Sequence, residues 1–157
     1  MAGIHSAYMS LVVERSPMHV LVPIDGSEPA RAAIEHAVTT FPDADITALH
    51  VVNPPMSTYR TDSHLHFERL VELEEERAET LFETAREVAD EHGHEASLTT
   101  ETVVGEPIRD IVGFAEENDV DQIVIGSHGR SGVSRVLLGS VAEQVVRRAS
   151  MPVTVVR

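Results

Sequence analysis

The sequence has no cysteine and no lysine, and all 12 of its basic residues are arginines. Without cysteine, the chain has no thiol nucleophile, cysteine-based zinc site, iron–sulfur ligand or disulfide. Without lysine, it has neither the usual Walker-type phosphate loop, which needs a lysine on the phosphates, nor Schiff-base chemistry on a lysine amine. No run of about 18 apolar residues occurs, so no transmembrane helix is predicted.

Charge is also unbalanced, because 26 acidic residues stand against the 12 basic ones and give a formal net charge of −14. This charge repels nucleic acids and anionic membranes, so neither is an expected partner. Self-repulsion should destabilise the folded chain at low salt, and molar salt should screen it. Acidic excess without lysine resembles the cytoplasmic proteins of salt-accumulating halophiles. The alternative is an acidic mesophilic protein that lacks lysine by chance. We expect a cytoplasmic protein.

The length of 157 residues predicts one domain, which we place at residues 18–157. Residues 1–17 lack the positively charged start and long apolar stretch of a secretory signal peptide. Two interpretations of this segment stay open. It is either an N-terminal tail or a leader read upstream of a true start at Met18.

Short apolar runs alternate with amphipathic segments along the rest of the chain. The runs predict strands at residues 19–24, 45–52, 97–104, 121–125 and 152–156. Helices are predicted from Ser27 to Phe41, over about residues 67–92, from Pro107, and around residues 141–149, with a polar loop at 56–66. This order predicts an α/β fold with an open parallel sheet and helices on both faces. Ligands of such sheets bind at the carboxyl ends of the strands, where Asp25, Val51, Val52, Gly105 and Gly126 fall.

The glycine-bearing segment at residues 126–140 (GSHGRSGVSRVLLGS) is the most informative part of the chain. Its glycines permit close approach of backbone to a ligand, and Ser140 begins a helix whose free N–H groups favour an anion. Arg130 and Arg135 could supply positive charge to attract a polyanion. A tight turn followed by an ordinary serine cap is the alternative, and the loop alone leaves both interpretations open.

Gly126-x2-Gly129-x9-Gly139-Ser140 resembles the nucleotide-binding signature of the universal stress protein family. Further segments resemble the family in the same order: residues 20–27 (VLVPIDGS), 49–52 (LHVV), 105–107 (GEP) and 150–156 (SMPVTVV). The resemblance extends from about residue 18 to residue 157, nearly the whole chain. The segments that depart from it most are residues 1–17 and the loop at 56–66.

The resemblance implies strand order 3-2-1-4-5, a homodimer formed through the strand between Pro152 and Val156, and an ATP site. Magnesium or manganese would be held mainly by the phosphates. Asp25 would contact ribose or adenine, and the Val51 backbone would bind the adenine edge. The ribose and phosphates would be held by Gly126, Gly129, Gly139, Ser140 and the N–H of Val141. The predicted cofactor-binding set is completed by neighbouring Pro23, Ile24 and Ile125 and by Arg130. No catalytic residue and no protein metal ligand are predicted.

The function expected from this site is that of an ATP-binding regulatory protein that signals nucleotide or stress state. No general base is evident near the predicted phosphates, so we expect at most slow hydrolysis or self-phosphorylation, with Ser140 as the phosphoacceptor. One alternative is an interaction module of the same fold that binds no nucleotide. An enzyme such as an ATP-dependent ligase or nucleotidyl transferase is disfavoured, because the chain is short for a second substrate domain.

Several histidines and glutamates offer metal or phosphate chemistry that we do not favour. His64 with His66, and His92 with His94, have the spacing of a chelating pair, but a polar loop and a helix end are the favoured explanations. His128 lies inside the predicted phosphate loop, where it could contact phosphate or face solvent, and we expect it to face solvent. The glutamates at 72 and 74–76 fit a solvated acidic helix face.

Overall fold

Five parallel strands form the sheet of the computed structural model, which describes residues 16–55, 64–94, 97–129 and 137–157. The elements in chain order are β1 (His19–Pro23), α1 (Glu28–Thr40), β2 (Asp45–Val52), α2 (His64–Glu91), β3 (Leu98–Val104), α3 (Pro107–Glu117), β4 (Gln122–Gly126), α4 (Ser140–Arg148) and β5 (Val153–Val156). The strand order is β3-β2-β1-β4-β5, which confirms the predicted fold class and order.

The helices cover both faces of the sheet. Side chains alternate between the faces along each strand, so β1 sends Val20 and Val22 to one side and Leu21 to the other. The first side packs against α1 and α2, and the second packs against α3 and α4. Two apolar layers therefore hold the strands, as the alternation of strand and helix predicted.

The sheet has its switch point at β1, which pairs with β2 on one side and β4 on the other. The chain builds outward from β1 through β2 to β3, and then crosses back to β4 and β5. At such a point the loops after β1 and β4 leave in opposite directions and open a crevice at the carboxyl ends of the strands.

Helix α2 begins at His64, so the predicted loop at 56–66 is wrong for its last three residues, and residues 56–63 lie outside the described part. The first turns of α2 bury nothing, and Leu65 is 77% exposed. The 3.6-residue apolar periodicity that marks a helix starts only further along, which is why the pattern placed the start near residue 67.

The tail or leader interpretation concerns mostly residues 1–15, which lie outside the described residues. Within the described ranges, none of the helices combines the length and the apolar character that a membrane crossing requires.

Candidate functional site

A cavity of about 580 Å³ opens at the carboxyl edge of the sheet. Its wall is formed by the ends of β1, β2 and β4, the starts of α1, α3 and α4, and Leu70, Val71 and Glu74 of α2. This volume lies in the range of about 300–1,000 Å³ that small-molecule and cofactor sites occupy. We call it the main cavity.

Most of the predicted site residues meet in this main cavity. Ten of the eleven line it: Pro23, Ile24, Asp25, Val51, Ile125, Gly126, Gly129, Gly139, Ser140 and Val141. The eleventh, Arg130, lies outside the described residues, as does Arg135. The fold thus brings together positions that are more than a hundred residues apart in the chain. Their contacts with a nucleotide stay a prediction.

Asp25 is held in the turn that follows β1. Its Oδ1 accepts a hydrogen bond from the Ser27 N–H at 2.9 Å. Its Oδ2 faces the loop after β4, where a Cβ added to Gly129 would lie 2.7 Å from that oxygen. The carboxylate therefore lies between the loops after β1 and β4, at the switch point of the sheet.

The β1-facing edge of β2 is open at Val51. The ladder between β1 and β2 ends with Pro23 beside Leu49, and the Ile24 N–H then donates to the Leu49 carbonyl at 2.8 Å. Backbone groups alternate sides along a strand, so those of Val51 point the same way as those of Leu49. Because the chain turns away after Ile24, the described residues of β1 and its turn leave these groups unpaired at the cavity wall.

Three helix starts meet the main cavity, and two of them are already capped by side chains. In α1, Ser27 Oγ accepts from the Ala30 N–H at 3.2 Å. In α3, the Glu106 carboxylate accepts from the N–H groups of Ile108 and Arg109, at 3.3 and 2.8 Å. In α4 the N-cap is Gly139, with no side-chain cap. The start of α4 is therefore the one most open to an anion.

The start of α3 also carries negative charge. Asp110 Oδ2 accepts from the Glu106 N–H at 2.6 Å, and the Arg109 guanidinium binds the same carboxylate. The Arg109 hydrogen bond is the main cause that holds the pKa of Asp110 below its ordinary value. Asp110 is thus ionised and paired with Arg109, and the first N–H groups of α3 are already bound by the Glu106 carboxylate.

Glycines shape the wall next to α4. A Cβ at Gly126 would lie 2.7 Å from the Pro29 carbonyl carbon, so β4 packs directly against the first turn of α1. The Gly139 N–H donates to the Ser127 carbonyl at 2.7 Å, and a Cβ there would lie 2.9 Å from the His128 Cα. Both glycines have a structural reason independent of any ligand.

The cavity wall carries few charges. Its titratable side chains, among the described residues, are Asp25, His50, Glu74 and His128. In the described ranges no cluster of three or more metal-binding side chains occurs. Two of the histidines once considered as a chelating pair bind backbone instead: His92 Nδ1 lies 2.8 Å from the Val88 carbonyl, and His94 Nε2 lies 2.8 Å from that of Ala44.

His50 is a wall residue that sequence reasoning missed. It is 4% exposed, its Nδ1–H donates to the Ile24 carbonyl at 2.9 Å, and its buried Nε2 has no partner among the described residues. This hydrogen bond occupies the Ile24 carbonyl, which would otherwise continue the β1–β2 ladder to Val51. The available signal was a lone histidine inside the apolar run Leu49–Val52 of β2. The α2 wall residues gave no signal, because they read as an ordinary amphipathic helix.

These features define a doubly wound α/β protein with a small-molecule cavity at the switch point of its sheet. The sequence profile of the universal stress protein family matches residues 17–157. The chain therefore belongs to the universal stress protein family, as its motifs predicted.

Relatives in archaea share much of the sequence and the fold. Universal stress protein MJ0531 of Methanocaldococcus jannaschii is 35% identical over 141 residues, which is 88% of this chain and 81% of that protein. The solved structure of MJ0577 from the same organism is 31% identical with a TM-score of 0.72, covering 88% of this chain and 94% of that one. A universal stress protein from Archaeoglobus fulgidus, solved in complex with dAMP, is 27% identical with a TM-score of 0.59, covering 89% and 98%.

Proposed function

We propose that this chain is a regulatory protein that binds ATP in the main cavity and signals nucleotide or stress state. The observation that carries the proposal is the uncapped start of α4, which opens into the same cavity as the unpaired backbone of Val51. A similar fold that binds dAMP in Archaeoglobus fulgidus supports an adenine nucleotide as the ligand.

The free N–H groups and the charges of the cavity wall favour one orientation of the nucleotide. Phosphates belong at α4, whose free N–H groups and helix dipole favour an anion. The start of α3 is already capped by Glu106, and Asp25 in the cavity wall repels phosphates. The nucleoside then lies toward Asp25 and β2, where the carboxylate can accept from ribose hydroxyls.

The unpaired backbone of Val51 favours adenine as the base. A strand residue offers one N–H donor and one carbonyl acceptor side by side. Adenine presents the complementary pair, an amino group beside a ring-nitrogen acceptor, whereas guanine presents a carbonyl where adenine has its amine. Mg²⁺ or Mn²⁺ would accompany ATP on the phosphates, because those ions are commonly held by phosphate oxygens and water.

We expect Asp25→Asn to weaken the binding of both ATP and adenosine about tenfold, because one charged hydrogen-bond acceptor for the ribose is lost. The asparagine oxygen can still accept from the Ser27 N–H, so the turn should survive. Titration calorimetry in molar KCl measures both ligands.

Asp43→Asn is the matched control, since Asp43 is exposed in a turn outside the cavity wall and its replacement changes the net charge equally. If Asp25→Asn binds adenosine as tightly as Asp43→Asn does, Asp25 does not contact the nucleoside.

We further propose a homodimer through β5. Among the described residues, the outer strands β3 and β5 each have an unpaired edge. Strand β3 carries Glu101, the type of residue that blocks edge-to-edge pairing, whereas β5 (Val153–Val156) has no charge and is half-buried throughout. Pairing of two β5 strands would cover the more apolar edge. The cytoplasmic location stays a prediction from the sequence.

The proposal is for binding and signalling without rapid turnover. His128 is a titratable wall residue that adjoins the start of α4. Fast phosphoryl transfer needs a group that positions or activates the attacking nucleophile.

A further inference from the structure

His128 stands beside the start of α4. It follows β4 and lines the main cavity. A Cβ placed on Gly139 would lie 3.3 Å from the His128 Cβ. Gly139 is the N-cap of α4, so the imidazole and the free N–H groups of that helix flank one corner of the cavity. His128, which we expected to face solvent, is half-buried in the cavity wall.

Ser127 fixes the orientation of this ring. Its Oγ lies 3.0 Å from His128 Nδ1. Ser127 itself is 3% exposed, and its backbone is bound on both sides: its N–H donates to the Val156 carbonyl at 2.6 Å, and its carbonyl accepts from the Gly139 N–H at 2.7 Å. Because these hydrogen bonds fix the Ser127 backbone, its side chain has little freedom to move. Its contact with Nδ1 therefore restrains the orientation of the imidazole.

The same contact selects the tautomer. A buried hydroxyl needs an acceptor for its hydrogen, and within the described residues the only partner of Ser127 Oγ is His128 Nδ1. When the hydroxyl donates to Nδ1, that nitrogen carries the lone pair. In that neutral ring the proton lies on Nε2, and the ring contact seen among the described residues involves Nδ1 alone.

We propose that His128 Nε2–H donates a hydrogen bond to a phosphate oxygen of the bound nucleotide, with Ser127 as the positioning residue. The inference rests on the proposed function and names a residue that gives this site its preference for phosphate-bearing ligands. His128 would thus supply a side-chain donor at the phosphates in a chain that has no lysine. Because Nε2 already carries a proton, the ring is a donor there and not a general base.

The test compares two substitutions of similar size. His128→Leu removes the donor, whereas His128→Gln keeps an N–H near the position of Nε2. We expect His128→Leu to weaken ATP binding about tenfold and to leave adenosine binding within about twofold, since only a hydrogen bond to a charged phosphate is lost. His128→Gln should stay within about threefold of the wild type for both ligands. His92→Leu, at an exposed helix end away from the cavity, is the control.

Titration calorimetry separates the possible outcomes. Equal loss of ATP and adenosine binding in His128→Leu would mean a structural role, and no loss would mean no contact; either result overturns the inference. If the wild type binds adenosine and ATP but His128→Leu matches it, the proposed function stands and only this inference fails. If the wild type binds neither ligand, both fail.

A ligand-free measurement tests the positioning step. Nitrogen-15 NMR of the imidazole should show the proton on Nε2 in the wild type and a mixture of tautomers in Ser127→Ala. A wild-type ring protonated on Nδ1 alone would contradict the assignment, because Nε2 would then have no hydrogen to donate.

Discussion

Gly126→Ala is expected to lower the free energy of unfolding by about 3 kcal/mol, at the upper end of what overpacking costs. The added Cβ would lie 2.7 Å from the Pro29 carbonyl carbon and 2.8 Å from the Ala30 nitrogen. Both are backbone atoms in the first turn of α1, which the Ser27 cap holds in place. Neither strand nor helix can yield without opening the cavity wall between them. Chemical denaturation in molar KCl measures the loss.

Gly113→Ala is the matched control for this effect. Gly113 lies inside α3, and no described residue places an atom within 4 Å of the position its Cβ would take. Alanine in a helix interior should stabilise the chain by about 0.5–1 kcal/mol. If Gly126→Ala proved as stable as Gly113→Ala, the close packing of β4 on α1 would be refuted, and with it the shape of this side of the cavity.

Salt is expected to have the other large effect. Between 0.1 and 1 M KCl the Debye length falls from about 10 Å to about 3 Å, so repulsion within a chain of net charge −14 should be largely screened. We expect the midpoint of thermal unfolding to rise by about 10 °C, equivalent to roughly 3 kcal/mol for a domain of this size. Differential scanning calorimetry across the KCl series measures it.

The acidic face of α2 offers a way to separate charge screening from a general effect of salt. Glu75 and Glu76 are exposed, and no ion pair is seen for either among the described residues. Replacing both by glutamine should stabilise the chain at 0.1 M KCl and change little at 1 M. A midpoint that stays flat across the series would contradict the interpretation of this chain as adapted to high salt.

The order of the elements could be predicted because each buried strand is a short apolar run and each helix repeats an apolar face. Strand β2 was predicted at its observed bounds, since its buried residues run almost without interruption. The start of α2 was not, because its first turns are exposed and bury nothing that leaves a periodic signal. Strand order came from the family resemblance, as pairing partners are not written in local periodicity.

The site could be predicted in part. Strand ends and glycines are visible in sequence, and they fall at the cavity. The contribution of Leu70, Val71 and Glu74 depends on how α2 packs over the strand ends, which no local pattern reveals. The cap on α3 was equally hidden, because glutamate is not among the usual N-cap residues. The tautomer proposed for His128 rests on the contact with Ser127, which the sequence shows only as two neighbouring residues.

The central claim is that the main cavity binds an adenine nucleotide. Its most direct test is to free the purified protein of bound small molecules and to titrate it with ATP, and separately with GTP, in molar KCl with Mg²⁺. We predict saturable binding of ATP and markedly weaker binding of GTP, because the open edge at Val51 matches the adenine donor and acceptor. Absence of ATP binding by a folded protein would contradict the account and would favour an interaction module that uses this fold without a nucleotide.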